Sequence, residues 1–374
     1  MYLQYLDLQH YRNYDKQELH LNKGINVLQG SNGQGKTNLL EAIYYLACGG
    51  NFRGNKDPEL IQWNQPYFRI YGQLKKETSE RLYELEVYFD QKKKKQLKIN
   101  GVKYKNLSEL QEYLRVVLFS PDDLRIIKGA PSDRRHYLDM VMCQQERNYP
   151  KLIKDYERIV SQRNNLLKEI HYHKPKQQEL DIWNMYLAEY GSHIIYRRLQ
   201  FLKKLIPIAR KVQRELTEQT EKFTVTYHCS IGAIGDFSRE EIRELFFNII
   251  KKRQGEEVVR GTTLWGPHRD DLIFYLNGTD LKKYGSQGQQ RTGILSLKMA
   301  ELTTFYNRYG EYPLLLLDDV MSELDESRRK YLMQMVKKNE IQTIITGTNI
   351  EFLTEKIADN EIYSIKEGKI IKTQ

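Results

Sequence analysis

The sequence has few cysteines and only short apolar runs, and both features exclude classes of protein. Only 3 of the 374 residues are cysteine, and Cys48, Cys143 and Cys229 form no CxxC pair. This spacing argues against a disulfide framework or a zinc knuckle and favours a reducing compartment. Apolar runs such as the four leucines at 314–317 fall far short of the roughly 20 residues that span a membrane. We therefore expect no membrane association.

The sequence also lacks the features of disordered, fibrous and secreted chains. It has 9 prolines, 40% hydrophobic residues and 29% charged residues, which is ordinary for a folded protein. Residues 1–14 show no basic segment followed by an apolar one, the pattern of a secretion signal. We expect a cytoplasmic protein of two or three domains, at about 100 to 200 residues per domain.

Acidic residues are fewer than basic ones. The chain has 59 Lys plus Arg against 49 Asp plus Glu, a formal net charge of +10. This excess favours an anionic polymer as partner, because phosphates attract cationic surfaces whatever their sequence. The four lysines at 92–95 either protect a sheet edge from aggregation or contact phosphate.

The periodicity of apolar residues predicts an α/β fold with a helical insertion. Strands are predicted near both ends of the chain, and in the last third they alternate with helices, as in a βαβ sheet. Between them, helical spacing predicts two long helices packed as a hairpin, with a turn at 171–175 and a kink at Pro207. The predicted division is 1–130, an all-helical arm over 131–221, and 222–374.

A glycine-rich segment follows the apolar strand at 25–28. It matches the pattern GxxxxGK[ST] and consists of Gly30, Ser31, Asn32, Gly33, Gln34, Gly35, Lys36 and Thr37. Backbone N–H groups of such a loop converge on phosphates because no side chains block the approach, and a helix N-terminus adds positive potential. We predict that Lys36 contacts the β and γ phosphates and that the Thr37 hydroxyl binds Mg²⁺.

Two carboxylates end a second apolar strand. Asp318 and Asp319 follow the four leucines, and the carboxyl ends of strands are where ligands bind in open α/β sheets. Paired with the glycine loop, Asp318 is expected to hold Mg²⁺ through water, and Asp319 to orient or deprotonate the attacking water. Without that loop, the same pair is equally typical of a helix cap.

A third motif precedes a helix in the last third. In the segment Ser286-Gln287-Gly288-Gln289-Gln290-Arg291, a serine and a glycine at a helix start form a second anion site. The order of the three motifs resembles the ATPase head of the ABC superfamily, in which the serine–glycine motif of one subunit covers the nucleotide of another. The resemblance implies that Ser286, Gly288 and Gln289 complete an ATP site in an ATP-dependent homodimer.

Two departures from that superfamily lie near the aspartates. Ser322-Glu323-Leu324-Asp325 resembles the D-loop, but the switch strand ends at Thr346-Gly347-Thr348 without the histidine that many ABC ATPases carry. Asp319 stands where many relatives have glutamate. Both departures suggest slow turnover, with either Thr346 or Thr348 contacting the γ-phosphate.

Longer polar strings make the resemblance specific to the RecF family. They are Leu3-x-x-Leu6-x-Leu8-x-x-Tyr11-Arg12-Asn13-Tyr14, Asn51-Phe52-Arg53, Phe119-Ser120-Pro121-Asp122-Asp123-Leu124, Lys128-Gly129-x-Pro131-x-x-Arg134-Arg135 and Gly266-Pro267-His268-Arg269-Asp270-Asp271. RecF proteins are similar to the heads of Rad50 and SMC proteins but carry a short helical arm. This suits an ABC-type ATPase head formed by 1–130 and 222–374, with 131–221 as the arm.

The resemblance implies a recombination mediator of DNA replication, repair and the SOS response. Such a protein binds single-stranded, gapped and duplex DNA as an ATP-induced dimer, and slow, DNA-stimulated ATP hydrolysis releases it. It acts with RecR and RecO to load RecA, and it is associated with the nucleoid in the cytoplasm. The implied cofactors are ATP and Mg²⁺, and the implied catalytic residues are Lys36, Asp318 and Asp319.

Other functions and roles stay open at this point. An ABC transporter subunit shares the glycine loop and the Ser286 segment, and a P-loop kinase of a small molecule shares the loop. Arg53 either approaches phosphates or DNA, or forms an ordinary surface ion pair. The segment around His268 and Arg269 is a polar network, a DNA or nucleotide contact, or a separate catalytic centre.

Overall fold

The computed structural model describes residues 1–76, 79–92, 94–172, 177–348 and 361–373. Positions 173–175 of the predicted turn lie outside these residues. The strands are β1 (Tyr2–Tyr11), β2 (Tyr14–His20), β3 (Ile25–Gln29), β4 (Tyr67–Lys76), β5 (Ser79–Asp90), β6 (Lys95–Ile99), β7 (Val102–Tyr104), β8 (Val116–Phe119), β9 (Phe223–His228), β10 (Asp271–Leu276), β11 (Thr279–Asp280), β12 (Leu314–Asp318), β13 (Thr343–Gly347), β14 (Glu361–Lys366) and β15 (Lys369–Lys372).

The α-helices are of very different lengths. They are α1 (Lys36–Cys48), α2 (Arg125–Lys128), α3 (Pro131–Gln145), α4 (Tyr149–Tyr172), α5 (Gln177–Leu216), α6 (Arg239–Arg260), α7 (Leu281–Tyr284), α8 (Gln287–Tyr309) and α9 (Glu326–Lys338). Within the described ranges, none combines the length and the apolar character that crossing a bilayer requires.

The chain forms two compact units. The first comprises Met1–Asp123 and Lys298–Gln374, and the second comprises Leu124–Leu297. The predicted arm, 131–221, lies within the second unit, which also contains residues 222–297. The division into a two-segment ATPase head and an arm of 131–221 stays a prediction.

A mostly parallel sheet positions the candidate site in the first unit. Its strand order is β15-β14-β3-β13-β12-β8, and all neighbours are parallel except β14 and β15. Strand β12 is buried at every position, as expected of an all-leucine strand in the middle of a covered sheet. The carboxyl ends of β3, β13 and β12 therefore emerge side by side.

A second sheet in the first unit is antiparallel, with the order β2-β1-β4-β5-β6-β7. Helix α1 packs against β12 and β13 of the parallel sheet and against β4 and β5 of this one. It is consequently buried from Leu39 to Ala47, which explains its lack of a polar face. Helix α1 lies close to this sheet because β4 has Gly72, where a Cβ would lie 2.5 Å from Leu46 Cδ2.

The second unit is built around long helices and a small sheet of order β11-β10-β9. The predicted packing of two long helices is confirmed, since α4 packs on α5, and α5 continues through Pro207. A third helix, α6, also packs on both and was missed from the sequence. Its signal was the capping box, in which Ser238 and Glu241 bond each other's backbone N–H groups.

A buried arginine joins these three helices. The side chain of Arg163 is fully buried and forms an ion pair with the equally buried Glu257. It also donates to Asn184 Oδ1 and to Thr263 Oγ1, both at 2.9 Å. Since Arg163 is on α4, Asn184 on α5 and Glu257 on α6, one guanidinium fixes their mutual packing.

We predict that Glu257→Ala lowers the free energy of unfolding of the second unit by about 3–5 kcal/mol, because it leaves a buried arginine without its counter-charge. Its exposed neighbour Glu256 pairs with Arg253, so Glu256→Ala is expected to change stability by less than about 1 kcal/mol.

Urea unfolding followed by tryptophan fluorescence measures both variants. The signal reports the second unit, because Trp183 and Trp265 belong to it and Trp63 is already 91% exposed in the folded chain. If both variants lose the same free energy of unfolding, Arg163 does not need Glu257 as its counter-charge.

Candidate functional site

The glycine-rich loop joins β3 to α1 in the first unit. Gly33 has φ +79° and Gly35 has φ +116°, values that favour glycine because a Cβ would be strained there. Helix α1 begins at Lys36, so its first backbone N–H groups open onto the loop. This is the strand–loop–helix arrangement that an anion site requires.

The turn between β1 and β2 holds the loop from one side. Asn13 Nδ2 donates to the Gln34 carbonyl and the Tyr14 hydroxyl to the Gly35 carbonyl, both at 2.9 Å. A Cβ on Gly35 would lie 2.6 Å from Asn13 Nδ2, so the contact is close. Asn13 and Tyr14 were part of a recognised string, but sequence reasoning gave them no role.

The residue before them anchors the same turn to α1. Arg12 donates to both carboxylate oxygens of Glu41, from Nε at 2.8 Å and from Nη2 at 2.9 Å. Glu41 is fully buried. Burial alone would lower the pKa of Arg12, but its bonds to Glu41 raise that pKa on balance. The pair therefore fixes the start of the chain on the helix that carries Lys36.

The hairpin of β14 and β15 holds the loop from the other side. Glu367 N donates to Gln34 Oε1 at 2.6 Å, and Gly368 N donates to Gln34 O at 3.2 Å. A Cβ on Gly30 would clash with the Ile365 carbonyl oxygen. Gly30 is therefore required by the neighbouring strand as well as by the loop.

Lys36 is directed back into its own loop. Its Nζ donates to the carbonyls of Gly30 at 2.8 Å and Ser31 at 3.1 Å. The residue is only 4% exposed. Its charge thus lies inside the loop, among the backbone groups that the sequence assigns to phosphate binding.

One oxygen of Asp318, at the end of β12, joins the first turn of α1 to the neighbouring strand β13. Thr37 Oγ1 donates to Asp318 Oδ1 at 2.9 Å, and Thr346 Oγ1 donates to the same atom at 2.8 Å. Asp319 N in turn donates to Thr346 Oγ1 at 3.0 Å. The structure therefore brings together Thr37, Asp318 and Asp319, as the sequence predicted, with Thr346, one of the two threonines considered for the γ-phosphate contact.

The charge of Asp318 is poorly compensated. Burial raises the pKa of this carboxyl, although the hydroxyls of Thr346 and Thr37 and the positive charge of Arg53 act in the opposite direction. The nearby Asp319 raises the pKa further. A cation beside Asp318 would relieve this penalty, because an opposite charge favours the ionised form.

The two threonines of the switch strand have different surroundings. Thr346 is fully buried and is engaged by both aspartates, whereas Thr348 is exposed just beyond β13. Asp319 has φ +53°, an uncommon conformation for aspartate that turns the chain away from β12. Ser322 Oγ donates to the Asp319 carbonyl at 2.7 Å and supports that turn.

Arg53 is exposed beside the start of α1. The side-chain amide of Asn51 donates to Asn55 O and accepts from Asn55 N, and these bonds close the loop that carries Arg53. Among the described residues Arg53 has no carboxylate within ion-pair distance; its Nη1 donates to Asn38 Oδ1 at 3.4 Å. No ion pair of Arg53 is thus found in the described part of the chain, and its guanidinium lies close enough to Asp318 to lower the pKa of that carboxyl.

The Ser286 segment lies at the start of α8 in the second unit. Gln289 N donates to Ser286 Oγ at 3.2 Å, and Ser286 N donates to Gln289 Oε1 at 3.0 Å. Glu221 holds Gln289 Nε2 at 3.0 Å. Ser286 and Gly288 are exposed, so a locally ordered helix start is presented to the surroundings.

The string around His268 forms a polar network within the second unit. Asp271 accepts two bonds from Arg134, at 2.6 and 2.9 Å, and the buried Asp270 accepts from Ser230 N at 2.7 Å. His268 Nδ1 lies 2.8 Å from the Tyr156 hydroxyl, and burial lowers the pKa of this histidine to about 4. The network interpretation fits best, because these groups are already paired.

Metal-binding clusters of three or more histidine, cysteine or acidic side chains are absent from the described ranges. Thr37 and Asp318 supply only part of a coordination shell, which is usual where substrate phosphates provide the remainder.

Comparisons with known proteins agree with this geometry. A family model described as RecF/RecN/SMC N terminal domain matches residues 2–371. The DNA replication and repair protein RecF of Latilactobacillus sakei is 41% identical over 377 residues, with 100% of each chain covered. The same protein of Desulforamulus reducens is 45% identical over 341 residues, covering 91% of this chain and 90% of its own.

Solved structures match as well. The recombination mediator protein RecF with ATP, from the RecFOR pathway, has a TM-score of 0.92 at 37% identity, covering 100% of this chain and 98% of its own. The Smc head domain of Pyrococcus furiosus has a TM-score of 0.58 at 15% identity, over 100% of this chain and 96% of its own, and supports the fold alone. The predicted ABC-type ATPase head fold is confirmed, and the chain belongs to the RecF family.

Proposed function

We propose that this chain is an ATP-dependent, DNA-binding recombination mediator whose ATP-bound form is a homodimer. The observation that carries the proposal is the 2.9 Å hydrogen bond from Thr37 Oγ1 to Asp318 Oδ1. It joins the first turn of the loop helix to the acidic end of β12, as a nucleotide site with a shared cation requires. The ATP-bound RecF relative supports ATP as the ligand.

The residues present fit Mg²⁺. A threonine hydroxyl and a carboxylate are the hard oxygen ligands that this ion prefers, and the raised pKa of Asp318 marks an under-compensated charge. When bound, Mg²⁺ would neutralise charge on phosphate oxygens. Thr37 and Asp318 would hold it, the latter through water.

The remaining residues act on the nucleotide. Lys36 exchanges its two carbonyl partners for β and γ phosphate oxygens, and the N–H groups of residues 30–37 surround the phosphates. Asp319 orients the attacking water, with its backbone fixed by Thr346. Thr348 is the better candidate for the γ-phosphate contact, because the Thr346 hydroxyl is already used.

The exposed Ser286 segment supports completion of the site in trans. Ser286, Gly288 and Gln289 would contact ATP held by a second copy, so that binding closes the dimer and hydrolysis opens it. We expect slow turnover, because Asp319 stands in place of glutamate. We also expect DNA to stimulate it. Single-stranded, gapped and duplex DNA, with RecR, RecO and RecA, are the proposed partners, and a nucleoid-associated cytoplasmic location follows from them.

We predict that Asp318→Asn abolishes ATP hydrolysis yet stabilises the ligand-free first unit at pH 7–8. The folded-state pKa of Asp318 lies above its unfolded value, so ionisation lowers stability as pH rises from the unfolded pKa to the folded one. The expected gain is about 1 kcal/mol, or roughly 2–4 °C in Tm. It should shrink as pH falls toward about 4.

Glu86 provides a control for which the expected change in stability has the opposite sign. In Glu86, bonds to Lys98 and Arg69 lower the pKa despite burial, so Glu86→Gln is expected to lose stability at neutral pH. Calorimetry of both variants between pH 4 and 8 measures the difference. A stability gain for Asp318→Asn that grows on acidification would contradict the assignment.

We further predict that Asp319→Asn, which binds ATP without hydrolysing it, dimerises only with ATP and Mg²⁺ and then comigrates with gapped DNA. Adding Ser286→Arg should abolish the dimer, since a bulky cation would block the shared site. Ser238→Arg is the matched control, because Ser238 is an exposed serine that caps α6 in the same way.

Sedimentation with no nucleotide, ADP, or ATP plus Mg²⁺ measures mass and DNA binding together. A monomer in every state, or a dimer that tolerates Ser286→Arg, would reject the composite site.

A further inference from the structure

The outward face of the antiparallel sheet of the first unit carries a group of tyrosines. Tyr5, Tyr67, Tyr71 and Tyr88, here called the tyrosine face, are each half-buried. The rings of Tyr67 and Tyr88 are stacked with centroids 5.2 Å apart. Those of Tyr5 and Tyr71 meet edge to face at 6.2 Å.

Four charged side chains on this face, those of Arg69, Asp7, Glu86 and Lys98, are paired with one another, and the Glu84 carboxylate interacts with the Tyr71 hydroxyl. Arg69 lies 2.6 Å from Asp7 and 2.9 Å from Glu86, and Lys98 lies 2.5 Å from Glu86. The Arg69 guanidinium also covers the Tyr71 ring, 4.9 Å from its centroid. What the face offers a ligand is therefore its aromatic rings.

A fully exposed tryptophan lies at one end of this face. Trp63 is 91% exposed on a turn closed by the bond from Gln65 N to Gln62 O at 3.1 Å. Gln62 N also donates to His10 O at 2.8 Å, which ties the turn to β1. The turn that carries the indole is thus held in place, while the indole itself lacks the burial that is usual for tryptophan.

A lysine-rich turn adjoins Trp63. Gln91 N donates to Pro66 O at 3.0 Å and Gln91 Nε2 donates to Gln65 O at 2.9 Å, so the β5–β6 turn lies beside the Trp63 turn. Lys92 and Lys94 are exposed. In the described part of the chain the ammonium group of neither forms an ion pair, although Lys94 N donates to Asp90 Oδ1 at 3.1 Å. The structure thus puts exposed positive charge next to the indole.

Lys95 behaves differently from its neighbours. It points inward to the Gly49 carbonyl at 2.7 Å and to Asp57 at 3.2 Å. The lysine run therefore divides into one structural residue and an exposed cationic turn. Of the two interpretations drawn from the sequence, a phosphate contact suits Lys92 and Lys94.

We propose that Trp63, the tyrosine face, Lys92 and Lys94 bind single-stranded DNA, such as the unpaired strand of a gap. Aromatic rings stack on unpaired bases, and cations beside them neutralise the backbone. Duplex DNA offers no free base faces, and a protein helix would need aliphatic partners, whereas Gln9, Asp7 and Arg69 lie among the rings. The inference rests on the proposed DNA-binding function and adds where the unpaired strand lies.

The test compares the affinities of the ATP-bound protein for a 20-residue oligothymidylate and for a blunt duplex. Trp63→Ala is expected to weaken oligothymidylate binding by about 5- to 150-fold, the range for loss of one base stack. Trp63→Phe should retain most of the affinity, and duplex binding should change by less than about twofold. Folding should be unaffected, since the indole is exposed.

A control variant and a second test variant are measured in the same way. Tyr306→Ala removes another exposed aromatic of the same unit, 45% exposed, and should leave both affinities unchanged. Replacing both Lys92 and Lys94 by alanine should reduce the slope of log affinity against log salt by up to about 1.4, since each phosphate contact to a single strand contributes about 0.7.

Each other outcome has a distinct meaning. Unchanged oligothymidylate binding in Trp63→Ala, or an equal loss for duplex, overturns the inference. If Trp63→Ala changes the mass of the dimer but not the affinity for either DNA, the Trp63 turn forms a protein contact, and this result also overturns the inference. If the unsubstituted chain binds the duplex but not the oligothymidylate, only this inference is rejected. If it binds neither DNA, the proposed function is rejected.

Discussion

Asp318 is the residue on which the geometry of the candidate site depends. It is a buried charge at the end of an all-leucine strand, and its Oδ1 accepts hydroxyl bonds from Thr37 and Thr346. Those bonds connect the loop helix, β12 and β13 at one edge of the parallel sheet. Removing water from a carboxylate is costly unless donors replace it, so the edge holds together only when all three elements are in place.

Supports outside that edge fix the loop itself. The β1–β2 turn bonds the carbonyls of Gln34 and Gly35 from one side, and the β14–β15 hairpin holds Gln34 from the other. Through Arg12 and the fully buried Glu41, the first hairpin is also bound to α1. The two ends of the chain thus meet at the loop and constrain its shape, which is how a site becomes preorganised.

Much of this was accessible from the sequence because the relevant signals are local. The glycine loop, the leucine strand and the paired aspartates predicted that Thr37 and Asp318, 281 positions apart, share an edge. The contacts of Asn13, Tyr14 and Glu41 were not predictable, because they depend on where the first hairpin folds back. Helix α6 was overlooked although its Ser238–Glu241 box was visible. The lysine run separated into Lys95 and its neighbours only through contacts with Gly49 and Asp57, which no local pattern contains.

The self-directed contacts of Lys36 have a consequence for selectivity. Its ammonium group already satisfies two carbonyls of its own loop, each a charge-assisted bond of about 1.5–3 kcal/mol. An incoming anion must replace both bonds at once, so a chloride ion or a single weakly held phosphate gains little by entering. We therefore expect the loop to favour a ligand with several adjacent anionic oxygens over a single small anion. Without such a ligand, the two carbonyl bonds keep Lys36 from being an unpaired buried cation.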